Sequence, residues 1–85
     1  VQPERHPLLV IKELKELIPL LIKEPGIRHK GLDSLEILEQ EMLEPQPRYA
    51  ILLGMIANLK SIPEIKLPLQ ELQRLLQSYL SPALQ

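Results

Sequence analysis

The chain contains no cysteine, tryptophan, phenylalanine or threonine, and two tyrosines are its only members of the Phe, Trp and Tyr group. Lack of cysteine excludes a disulfide framework and thiol chemistry, and fits a reducing compartment such as the cytoplasm. With so few aromatics there is no stacking platform for single-stranded nucleic acid. A net charge of −1 likewise removes the basic excess of a nucleic-acid binder. Three glycines are too few for a phosphate-cradling loop. No apolar run approaches the roughly 18 residues of a membrane span, and the helical patterns lack the Lys/Arg-rich polar face of a membrane-surface helix, so no membrane partner is expected. The chain begins at Val1 and not Met, as expected of a trimmed product, so the lack of a targeting segment carries no weight.

What is present is leucine and isoleucine in helix-length runs, cut into segments by nine prolines. Eighty-five residues make one domain, 1–85, with 1–6 and 81–85 expected as frayed ends. Such a short chain buries only about 60% of the surface its unfolded form exposes, so contact with a partner would help it fold.

The first helix is expected to open at Pro7, where the missing N–H costs nothing, and to run to Lys23. Val10, Ile11, Leu14, Leu17, Ile18 and Leu21 form its apolar stripe, with a kink or break expected at Pro19. Residues 24–33 read as a connector, with Glu24-Pro25-Gly26 ending the first helix and Asp33 capping the second. Leu35, Leu38, Met42 and Leu43 face inward there, and Pro45-Gln46-Pro47 closes the segment. The third helix, Pro47 to Lys60, is apolar around its whole circumference. Ser61 to Leu67 reads as an extended linker pinned by Ile62 and Ile65. From Pro68 the fourth helix carries Leu69, Leu72, Leu75, Leu76, Tyr79 and Leu80 on one face, and Ser81-Pro82 is expected to stop it.

A short echo between Leu14–Pro19 and Leu59–Pro63, 45 residues apart, lies within the period of helical repeats. The expected fold is therefore all-α, a small four-helix domain of two packed helical hairpins, either a HEAT-like pair or an irregular bundle.

The run Gly31-Leu32-Asp33-Ser34-Leu35-Glu36-Ile37-Leu38-Glu39 resembles the signature of acyl carrier proteins and related carrier domains. That resemblance implies Ser34 as the attachment point of a phosphopantetheine arm and Glu36, Glu39 and Glu41 as an acidic docking face. Read from the residues alone, the same run is a capped helix start with a solvated acidic face. Leu-x-x-Leu-Leu occurs at Leu72–Leu76 and Leu17–Leu21; on an exposed helix it can enter a partner's groove, and here both copies are expected in the core. His29 and Asp33 have helical spacing but fall in the expected loop, and His6 stands near the start, so no metal site is expected. Four serines and two tyrosines are the only hydroxyls, and no Ser-His-acid arrangement emerges, so neither catalysis nor a cofactor is expected.

The leading functional expectation is a protein-protein interaction or oligomerisation module. Its partner is a second copy or a helix of another protein, met by the apolar surplus of the third helix at Tyr49, Leu52, Leu53 and Ile56. A divergent carrier domain using Ser34 is the alternative.

Overall fold

A computed structural model describes the backbone of residues 6–84 and the side chains of residues 6–78. Four helices follow one another: α1 (Pro7–Leu21), α2 (Pro25–Met42), α3 (Tyr49–Lys60) and α4 (Lys66–Leu84), with a 3-10 turn at Pro63–Ile65 leading into α4. No strand occurs among the described residues. The all-α, four-helix expectation therefore holds. Residues 1–5 and 85, most of the expected frayed ends, lie outside the described residues.

The α1 helix starts as expected, with Pro7 in its first turn and His6 Nδ1 accepting a hydrogen bond from the Leu8 N–H at 3.1 Å. Pro19 does not break it into two. The proline removes the bond to the Lys15 carbonyl only one turn before the helix ends, and Ile22 N–H still bonds to the Ile18 carbonyl at 2.9 Å.

The α2 helix corrects the expected connector. It begins at Pro25 and not at Asp33, so residues 25–33 are helical. Pro25 loses no bond in a first turn, and the Glu24 carboxylate accepts from the N–H groups of Gly26 at 3.0 Å and Ile27 at 2.6 Å. Those two bonds, the one from Ile27 the stronger, hold the Glu24 carboxyl below its usual range. Asp33 caps nothing. It is exposed on the outside of the helix, 3.4 Å from His29 Nε2 one turn earlier.

Two further boundaries differ. The expected extended linker is the 3-10 turn at Pro63–Ile65, and α4 begins at Lys66, which leaves Pro68 in a first turn that needs no N–H. At its far end α4 continues past Ser81-Pro82 to Leu84, because one bond lost in a last turn does not end a helix.

The helices touch in a ring: α1 lies against α2 and α4, and α3 lies against α2 and, over a shorter stretch, α4. Short connections make successive helices antiparallel. The core is aliphatic: Val10, Ile11, Leu14 and Ile18 of α1, Leu35, Leu38 and Met42 of α2, Leu52, Ile56 and Leu59 of α3, and Leu69, Leu72, Leu75 and Leu76 of α4, whereas Leu43, expected to face inward, is exposed. Ile62 and Ile65 are buried as expected and tie the α3–α4 junction to this core. In α1 the stripe fails at its end, where Leu17 is half-buried and Leu21 exposed.

Candidate interaction surface

Antiparallel packing brings the end of α1, the start of α2 and the α3–α4 junction to one end of the bundle. Gly31 fixes their approach. A Cβ there would lie 3.0 Å from Ile18 Cδ1 and 3.1 Å from Ile62 Cδ1, so the glycine gives α2 the closeness that buries both isoleucines. Among the described residues no φ is positive, so Gly31 serves here by its missing side chain and not by its backbone freedom.

This junction end, residues 18–31 and 57–69, carries half of the eight exposed large aliphatic side chains among the described residues: Leu20 at 69%, Leu21 at 43%, Ile27 at 46% and Leu67 at 75%. Five of the ten basic residues sit there too (Lys23, Arg28, Lys30, Lys60 and Lys66), against two of the eleven acids, Glu24 and Glu64. Glu24 is turned onto the start of α2. Lys23, Lys30, Lys60 and Lys66 form no ion pair among the described residues, so their charge faces solvent beside the leucines. Next to Leu67, a cleft of about 440 Å³ is lined by Lys60, Ile62, Pro63, Lys66, Leu69, Gln70 and Gln73.

The acidic stretch Asp33 to Glu44, the second half of α2 with the two residues beyond it, is built the opposite way. Lys15 Nζ, reaching across from α1, donates to Glu36 at 2.6 Å and Glu39 at 2.8 Å. The Glu36 bond, then the Glu39 bond, holds the Lys15 ammonium above its usual range, and Lys15 in turn depresses the Glu36 carboxyl. Glu41 is corrected from docking residue to interior residue. Its side chain is only 7% exposed and accepts three hydrogen bonds from Arg48: Nε at 3.2 Å, Nη2 at 3.1 Å and the backbone N–H at 2.8 Å. Those bonds depress its carboxyl, the side-chain pair most strongly, and fasten the end of α2 to the start of α3. Of the expected acidic face, Glu36 keeps an exposed side chain, Glu39 is partly covered and Glu41 is withdrawn.

The expected contact residues of α3 also divide. Leu52 and Ile56 are 1% and 2% exposed and belong to the core, which corrects their reading as surface; Tyr49 packs against the core, and only Leu53, at 44%, is open. The α3 circumference is apolar because its inner residues are core while its outer face is made of Ala50, Gly54 and Ala57, which are small and exposed. A Cβ on Gly54 would meet nothing within 4 Å.

Ser34 lies in the third turn of α2 at 4% exposure, nine positions after the helix begins, not at the helix start where the carrier resemblance places it. An arm attached there would leave from a buried hydroxyl. The Leu72–Leu76 motif is in the core as expected, whereas Leu20 and Leu21 of the other copy stand outside it. His29 and Asp33 do come together, because the stretch read as a loop is helix. Among the described residues no three His, Asp or Glu side chains group so as to hold a metal ion, and no helix is long and apolar enough to cross a membrane.

No protein-family model matches the chain, and neither a curated protein nor a solved structure matches it.

The signal for the junction end was available in the sequence. Leu20, Leu21 and Ile27 flank a three-residue connector rich in charge, and a connector that short obliges its flanking residues to cap the bundle end, where fewer neighbours can cover them.

Proposed function

We propose that this domain is a helical protein-interaction module, without catalysis, whose contact surface is the junction end of the bundle. The observation that carries this reading is the concentration of Leu20, Leu21, Ile27 and Leu67 at one end, all exposed, around lysines that form no ion pair among the described residues. Isolated exposed leucines are ordinary on a soluble protein, but apolar side chains gathered within a polar rim characterise a contact surface. The core is complete without them, since each helix contributes at least three buried apolar residues. Leu53 offers a smaller, separate contact on α3.

The reading requires that these leucines be dispensable for folding and available to apolar molecules. The double variant Leu20→Gln/Leu67→Gln should melt within a degree or two of the parent chain, while its binding of an anilinonaphthalene dye falls. A large drop in Tm would make the two leucines part of the core. Unchanged dye binding would place the apolar surface elsewhere; either result removes this reading.

A further inference from the structure

We infer that the occupant of the junction end is a second copy of this chain, presenting the outer strip of its α2 helix in a head-to-tail contact. This rests on the junction end being the contact surface. The two surfaces are complementary in charge within one sequence. The junction end carries five bases against two acids, whereas Asp33 to Glu44 carries five acids with Lys15 and Arg48 packed against them and the His29 imidazole 3.4 Å from Asp33. In a chain of net charge −1 the two regions therefore hold opposite excesses of about equal size.

The acidic strip also has what an apolar end needs to meet. Ile37 is 46% exposed and Leu43 60%, and the exposed carboxylates of Asp33, Glu36 and Glu44 lie between them around the outer face of α2. Helical spacing of 100° per residue sets Asp33, Glu36 and Ile37 on one side of α2, the C-cap Leu43, still with helical backbone angles, continues that side, and Glu44 follows just past the helix end. Two junction ends cannot pair with each other by a two-fold axis, since that would set one cluster of lysines against an identical one. A copy can use its junction end only on a different surface of the next copy, and the acidic strip is the surface of opposite charge that also exposes aliphatic side chains.

Such a contact is heterologous. It leaves one free junction end and one free strip on every assembly, so growth does not stop at two copies unless the rotation closes a ring. An interface on the low side of about 1,200 Å² in total would be weak, and its charge pairing would be screened by salt.

Sedimentation velocity on three samples tests the pairing. The first is the parent chain over a wide loading range. The second is a junction-end variant, Leu20→Gln/Lys66→Glu/Leu67→Gln. The third is a strip variant, Ile37→Gln/Glu44→Lys. Both charge reversals suit their positions, an acid in the first turn of α4 and a base just past the end of α2, so each variant should keep its circular dichroism and Tm. The parent's sedimentation coefficient should rise with loading without levelling at a dimer, and should fall when salt is added. Each variant alone should associate at least about tenfold more weakly. Their equimolar mixture should regain association but stop at one copy of each, because only one intact junction end meets one intact strip. A mixture as monomeric as its components, or a variant that associates like the parent, would overturn the proposal. A parent chain monomeric at every loading would overturn it too, while leaving the dye and melting readouts of the junction end in place; failure of those readouts would instead remove the surface itself.

Discussion

The two ends of the bundle treat their charges differently. Where α2 runs into α3, Glu41 and Arg48 are joined by three hydrogen bonds, and the nearby Glu36 and Glu39 converge on Lys15. Where α1 turns into α2 and α3 into α4, four lysines have no partner among the described residues and four large aliphatic side chains face outward. One end is closed by the chain's own ion pairs. At the other, closure is left to aliphatic contact around Gly31, Ile18 and Ile62, with charge and apolar surface remaining exposed.

Truncating the open end's internal contact should have the largest effect. Ile62 is 2% exposed, and Ile62→Ala should cost about 2–5 kcal/mol, read as a lowered denaturation midpoint. A loss well below 1 kcal/mol would mean that the junction is not held by this side chain. At the closed end, Glu41→Gln removes the charge that accepts all three Arg48 bonds, so Tm should fall at pH 7 by less than in Ile62→Ala. No change would show that the α2–α3 connection is secured by packing alone.

Acid should act on the closed end and on the α2 cap. Glu24, Glu36 and Glu41 all have carboxyls depressed below the ordinary value of 4.5, so they bind protons more weakly folded than unfolded. Their contribution is complete above that value and is lost as pH falls through the depressed ones. Tm measured from pH 7 downward should hold to about pH 5 and then decline, with Glu41→Gln declining less steeply. A parent and variant with parallel profiles would contradict the assignment to Glu41.

Gly31→Ala should have a smaller effect, because two terms oppose. Alanine favours a helix interior by about 1 kcal/mol. The new methyl, however, would press on Ile18 and Ile62, which are 0% and 2% exposed and have little room to yield. Overpacking costs about 1–3 kcal/mol, so a net loss near 1 kcal/mol is expected. Ile62→Val removes one of the two crowding Cδ1 atoms, so Gly31→Ala/Ile62→Val should be more stable than the two single effects sum to. A raised Tm in Gly31→Ala alone would mean that the close approach is not tight. Least of all should stability respond to Leu20→Gln/Leu67→Gln, whose effect belongs to binding.

Much of this architecture is legible in the residues. The stripes Val10-Ile11-Leu14-Ile18, Leu35-Leu38-Met42 and Leu69-Leu72-Leu75-Leu76 are core, and Pro7 opens α1 as expected. What misled the reading was punctuation with two meanings. Glu24-Pro25-Gly26 was legible as an end of α1 or a beginning of α2, and a glutamate cap is less distinctive than Asp or Ser. Gly31 falls in the stretch that reads as a connector, but it answers a contact with Ile18 and Ile62 that no local pattern contains. That error moved the start of α2 by eight residues and gave Ser34 the place of a helix start. The site was less legible still. An apolar circumference on α3 suggested an interface at Leu52 and Ile56, yet burial depends on which helices flank α3, and both residues are covered. Leu21 fits the α1 stripe and Leu20 the Leu-x-x-Leu-Leu motif, but both lie past the point where α1 has neighbours on every side.

The central claim is that the junction end is the surface through which this domain meets another molecule of its own kind. It is tested most directly by methyl-resolved NMR of the isolated domain as its concentration is raised. The account predicts shifts concentrated at Leu20, Leu21, Ile27 and Leu67 and at Ile37 and Leu43, diminishing with salt. Shifts confined to Leu9 and Leu53, or none across the titration, would contradict it.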